Sequence, residues 1–144
     1  MKSRCALFVL LMFALIPNQI AARVQQDEGA SLYSRTLLEQ INTYRRDHGL
    51  GQLRFDANLI RLAKHHSFEM FRQKMVSHRN FNQRFERSDS RMCVENVGRD
   101  FSTPLKQFDS WRQSKGHDQN MLKEELTKAG IAEIGNYVTF FACR

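Results

Sequence analysis

Three residues stand out as able to do chemistry together: His78, Glu95 and His117. His78 follows Ser77 and His117 follows Gly116, so both imidazoles are read into irregular segments beside turn residues. Loops carried on a rigid scaffold are where binding groups concentrate. Glu95 lies beside Val94 and near Val97 in a strand-like stretch, where burying a lone carboxylate is costly. It needs a histidine or a cation as partner. Two neutral imidazoles and a carboxylate suit Zn²⁺ or another divalent cation, with a position left open for water. Alternatively, His78 and His117 hold the metal while Glu95 serves as general base. The same residues also fit three separate surface or capping roles, and spacing alone does not choose.

The other histidines suggest no site. His48 precedes Gly49 at a helix end, where a cation suits the helix dipole. His65 and His66 are neighbours in a helix and project about 100° apart, so the expectation is that they share no ligand. His66 falls on the apolar face as a satisfied core histidine, and His65 is expected in solvent. The chain has no His-Glu-x-x-His pair, no Gly-x-Ser-x-Gly elbow and no glycine-rich phosphate loop. No residue is assigned a catalytic role.

Residues 1–22 read as a secretory signal peptide. Lys2 and Arg4 precede an apolar run of 11 residues, Ala6 to Ile16, and Ala21-Ala22 offers small residues for cleavage. That run is well short of the roughly 20 residues a membrane-crossing helix needs. Removing Lys2 and Arg4 from 22 basic residues, against 15 acidic ones, leaves a net charge of +5. The surplus suits lipid headgroups or wall polymers, while the scatter of basic residues argues against nucleic acid. Cleavage also removes Cys5, and an even pair in an exported protein, Cys93 and Cys143, suggests a disulfide. The expected location is secreted, periplasmic or extracellular, without a transmembrane segment once the signal is cut.

The elements that must position these residues follow from periodicity. Residues 23–34 are a polar lead-in, and a domain spans 35–144. Leu37, Leu38, Ile41 and Tyr44 mark a first helix ended at Gly49. Asp56 caps a second, running to about Met75, with Leu59, Ala63, His66 and Met70 inward and Ile60, Leu62 and Phe71 beside them. Residues 76–92 read as a long ordered loop, and Cys93–Val97 as a short strand closed by Gly98. Thr103 caps a third helix with Pro104 at its first position and Leu105, Phe108 and Trp111 as its buried stripe. Lys115-Gly116 reads as a turn, residues 118–127 as a short helix, and 131–143 as a hairpin about Gly135-Asn136. Helices first and paired strands late indicate an α+β domain.

Several motifs in order resemble the CAP superfamily of cysteine-rich secretory proteins, in the form of its short bacterial members. Leu38-Glu39-Gln40-Ile41-Asn42 with Tyr44-Arg45 and Gly49-Leu50 is similar to the family's first helix and turn. Leu53, Asp56, Leu59 and Ala63-x-x-His66-Ser67-x-x-Met70 resemble its second helix. Ser77-His78 resembles its first cavity histidine, Glu95-Asn96 its cavity glutamate, and Trp111-x-x-Ser114-x-Gly116-His117-x-x-Asn120-x-Leu122 its second histidine motif. The resemblance implies a three-layer α-β-α sandwich with a central antiparallel sheet, and His78, Glu95 and His117 together in one cleft. Two positions depart: Val94 replaces the glycine before the glutamate, and Ser114 stands where many eukaryotic members carry a second cavity glutamate.

The function expected is that of a monomeric, non-enzymatic binding module with a lipid, a wall polymer or a protein as partner. A divalent metal at His78 and His117 is compatible with it. The alternative is a metal-dependent hydrolase using His78, His117 and Glu95. Fold-level analogy cannot choose between them.

Overall fold

The computed structural model of the chain describes residues 29–144. The signal peptide expected at 1–22, and the first part of the lead-in, lie outside the described residues. Helix α1 (Leu32–Asp47) starts just ahead of the periodic stretch, because Ser31 caps it by accepting from the Ser34 N–H. After β1 (Arg54–Phe55) comes α2 (Ala57–Gln73), whose Asp56 cap accepts from the Leu59 N–H. Helix α3 (Phe81–Arg87) precedes strand β2 (Cys93–Arg99). Helices α4 (Pro104–Gln113) and α5 (Lys115–Met121) follow, then β3 (Lys128–Ile134) and β4 (Tyr137–Cys143).

The sheet runs in the order β1-β3-β4-β2. Its three long strands are antiparallel, and only the two-residue β1 pairs in parallel, with β3. Side chains alternate between the faces of a strand, and the core divides accordingly. Val138, Phe140 and Ala142 of β4 join Leu37, Leu38 and Ile41 of α1 and Phe108 and Trp111 of α4. Phe141 and Cys143 face the other way, onto Leu59, Leu62 and Ala63 of α2. One helical layer is therefore α2, the other α1 with α4 and α5, and the α-β-α sandwich follows from two-sided burial of β3 and β4.

Close approach is set at two glycines. A Cβ on Gly130 of β3 would lie 2.0 Å from the Leu59 backbone, so α2 rests directly on the sheet there. A Cβ on Gly98 would lie 2.1 Å from the Gln107 side chain. That space is why Gln107, rather than Leu105, faces inward from α4; Leu105 is 53% exposed. Phe71 is likewise exposed, and Ser67 takes an inward place on α2, donating to the Ala132 carbonyl at 2.9 Å.

Other expectations need correction. The stretch 76–92 is not all loop, because Phe81, Arg84, Phe85 and Ser88 turn one helical face inward. Arg84 fills a buried place that reads as polar in the sequence. Strand β2 continues through Gly98, which pairs with Val138, to Arg99. The expected turn at Lys115-Gly116 is the first turn of α5. That helix ends at Met121, where Arg45 of α1 takes the carbonyls of Met121 and Lys123, each at 2.8 Å.

Cys93 and Cys143 are register partners on β2 and β4 and form a disulfide. They close a loop of 50 residues, for which the chain-entropy relation gives about 4 kcal/mol. Urea denaturation with and without a thiol reductant is expected to differ in unfolding free energy by about that amount.

Candidate functional site

Strand β2 is an edge of the sheet, and both helical layers reach around it. An edge strand presents backbone groups that no neighbouring strand satisfies. Here Trp111 Nε1 donates to the Val97 carbonyl at 3.0 Å and Asn120 Nδ2 to the Glu95 carbonyl at 3.2 Å. Asn96 faces the same side, and its Nδ2 donates to the His117 carbonyl at 2.9 Å. Asn120 also donates to Asn96 Oδ1 at 2.9 Å. The Trp111-to-Leu122 motif thus closes an open strand edge and fixes His117 on α5, rather than in the irregular segment expected.

Glu95 alternates to the α2 side, where its side chain is 1% exposed. Arg84 Nε donates to Oε2 at 2.7 Å and Nη2 to Oε1 at 2.8 Å. This forked geometry is the strong form of a charge-assisted pair. His78 Nδ1 donates to Oε1 at 2.9 Å, and His66 Nε2 lies 3.7 Å from the same oxygen. The buried carboxylate has the histidine and the cation its position demands.

The chain is folded onto this carboxylate by contacts on either side. Helix α2 stops at Lys74, which adopts a left-handed conformation, and Met75 N–H returns to the Met70 carbonyl at 3.2 Å. His66, buried as expected, donates from Nε2 to the Ser77 carbonyl at 2.7 Å. Arg84 Nη1 donates to the Arg79 carbonyl at 2.7 Å. His78 is therefore held between two anchored neighbours, with its own side chain 54% exposed. With Nδ1 bound to Glu95, its Nε2 is the nitrogen left for a ligand.

Burial pushes the Glu95 carboxyl up, but hydrogen bonds from His78 and Arg84 and the charges of Arg84 and His66 outweigh it, so its pKa is lowered. Burial lowers the pKa of His117, with a smaller contribution from the charge of His78, which places the two imidazoles within electrostatic reach. No hydrogen bond joins His117 to Glu95 among the described residues. The His117 ring lies 6.3 Å from that of Trp111.

As donors for a metal, His78 and His117 fit in kind: one imidazole is oriented by a carboxylate and the other is held toward its neutral form. Glu95 fits poorly, since Arg84 engages both of its oxygens. Among the described residues, no three or more His, Cys, Asp or Glu are grouped so as to hold a metal ion. A cavity of about 320 Å³ lies elsewhere, lined by Tyr33, Phe101, Glu133 and Asn136 among others and by none of the three site residues.

The remaining histidines mostly follow expectation. His48 Nδ1 donates to the Tyr44 carbonyl at 2.8 Å at the end of α1, and His65 is 63% exposed. His65 and His66 do, however, share a neighbour: Glu69 Oε2 lies 3.8 and 3.4 Å from their Nδ1 atoms. A glutamate one turn on is long enough to reach between two adjacent side chains. Sequence reasoning missed Arg84 and the place of His66 beside Glu95.

The profile of the cysteine-rich secretory protein family, CAP, matches residues 38–143. The chain belongs to this family. Its relative YkwD of Bacillus subtilis, described as uncharacterized, is 25% identical over 111 residues, covering 72% of this chain and 43% of YkwD. The chain thus spans less than half the length of that relative. An extracellular protein of Bacillus anthracis containing an SCP domain superposes with a TM-score of 0.73 at 24% identity, over 76% of this chain and 39% of that one. The outer surface protein of Borrelia burgdorferi gives 0.69 at 19% identity, over 76% of this chain and 91% of its own. A cysteine-rich secretory protein of Staphylococcus aureus also gives 0.69 at 19%, over 75% and 36%.

Removing Arg84 would leave a buried carboxylate without its cation, so Arg84→Met is expected to lose about 3–5 kcal/mol of stability by urea denaturation. A lowered carboxyl pKa contributes stability that is complete above the unfolded-state value and lost as pH falls through the folded one. The denaturation midpoint of the unmodified domain is therefore expected to fall on acidification below about pH 4, and to fall less in Glu95→Gln.

Proposed function

We propose that this CAP domain is an exported, non-enzymatic binding module whose cleft, at the edge of β2, presents His78 and His117 to a ligand on a lipid, wall or protein surface. Residues 1–22 act as the signal peptide in this reading. Extracellular and outer-surface descriptions of the structural neighbours support export. The observation that carries the reading is the forked bond of Arg84 to both oxygens of Glu95. With His78 also on Oε1, three donors occupy the carboxylate and leave one lone pair, on Oε2, a poor arrangement for ligating a metal or activating water. Glu95 instead orients His78, as a carboxylate behind a ligand histidine does.

A metal-dependent hydrolase would need Glu95 released from Arg84, and nothing in the hydrogen bonding favours that. A divalent cation fits the reading as a bridge held by His78 and His117, with its other positions filled by the ligand or by water.

Calorimetric titration of Zn²⁺ into the metal-free protein is the test. Binding is expected in the unmodified domain, weaker by about 10- to 100-fold in Glu95→Gln, and absent in His78→Ala/His117→Ala. Equal binding by the double variant would overturn the two-histidine site. Hydrolysis of peptide, ester or wall substrates, lost on changing Glu95, would overturn the non-enzymatic reading.

A further inference from the structure

Six large apolar side chains are exposed among the described residues, and four of them fall within nine positions at the end of α2. Phe68, Phe71, Met75 and Val76 are 46, 45, 45 and 41% exposed. Phe68 and Phe71, three residues apart, share one face of α2, and Met75 and Val76 follow directly beyond the left-handed cap at Lys74. Single exposed apolar residues need no explanation, but a contiguous group marks an interaction surface. Every residue from 71 to 76 is exposed, with the Phe71 ring resting at its inner side on Tyr137 and the Gly135 turn.

The charges around it have one sign. Arg72, Lys74 and Arg79 are all exposed, and Arg72 lies over the Phe68 ring at 5.9 Å. Glu69 is the one acid between Phe68 and Asn80, and it is turned toward His65 and His66. Apolar side chains flanked by arginine and lysine are the makeup of segments that lie in a membrane interface, with rings among the acyl chains and cations at anionic headgroups. No helix of the described residues is long and apolar enough to cross a membrane, so the contact would be peripheral.

We infer that the C-terminal end of α2 and the residues just after it, Phe68 to Val76, dock this domain on an anionic lipid bilayer. A wall polyanion would engage the cations and leave the four apolar side chains in water. The inference deepens the binding-module reading, and rests on it for export. It places the surface contact beside the cleft, since the docking segment leads directly into His78.

Sedimentation with mixed phosphatidylglycerol–phosphatidylcholine vesicles, against pure phosphatidylcholine, tests it on the exported protein. Preferential binding to the mixed vesicles is expected. Phe68→Ser/Met75→Ser should weaken it by ~10-fold or more, as should Arg72→Gln/Lys74→Gln, whose residual binding should also depend less on salt. Leu105→Ser removes an equally exposed apolar residue elsewhere and should change nothing. Absence of binding to the mixed vesicles, or full binding by Phe68→Ser/Met75→Ser with an unchanged melting temperature, would overturn the inference. So would an equal loss in Leu105→Ser. Vesicle binding retained in His78→Ala/His117→Ala, with zinc binding retained in Phe68→Ser/Met75→Ser, keeps the outcomes for cleft and docking surface separate.

Discussion

A carboxylate buried between a sheet and the helices packed on it must be neutralised where it stands. Glu95 has 1% of its side chain exposed, and its burial is tolerable because Arg84 meets it with a forked pair of bonds and His78 adds a third. Much of the local architecture serves that requirement. Helix α3 is short and its N-terminus is uncapped by any side chain, yet it presents Arg84 to the sheet. Phe81 packs against Phe141 at 6.0 Å and holds the helix down. The segment between α2 and α3 is pinned by His66 at Ser77 and by Arg84 at Arg79. One ion pair thereby fixes the path of the chain on which His78 sits.

The opposite layer solves a different problem with the same economy. Strand β2 has β4 on one side and no strand on the other, and its outward carbonyls would be left unbonded beneath α4 and α5. Trp111 and Asn120 take them. Arg45, fully buried, draws α1, the following loop and the end of α5 together by binding the carbonyls of Gly51, Met121 and Lys123. Both histidines are tied to the same strand, His78 through Glu95 and His117 through Asn96. His78 comes from the α2 side and His117 from the α5 side.

This arrangement separates two properties that a histidine–glutamate cleft could combine. A glutamate free to ligate or to accept a proton would make the site a centre for hydrolysis. A glutamate committed to an arginine makes the site a rigid support for an imidazole. Ser114, three residues after Trp111, adds no second carboxylate there.

Most elements were legible along the chain because their causes are local. Asp56 and Thr103 cap helices whose inward residues recur with helical spacing, and Gly135-Asn136 turns the hairpin. Parity and export suggested the pairing of Cys93 with Cys143, and the cost of burying Glu95 showed that it needed a partner. Which cation would come was not legible. Arg84 reads as a polar residue in a polar stretch, and only the packing of α3 on the sheet turns it inward. The inward place of Gln107 depends on the missing side chain at Gly98, a contact across the sheet face. The tie of both His78 and His117 to β2 depends on that strand lying at the sheet edge. Strand order is set by pairings between residues distant in sequence, so no local pattern encodes it. The sequence by itself determined the elements and the charge that had to be buried; the tertiary structure decided which residues would bury it, and so what chemistry remained open to them.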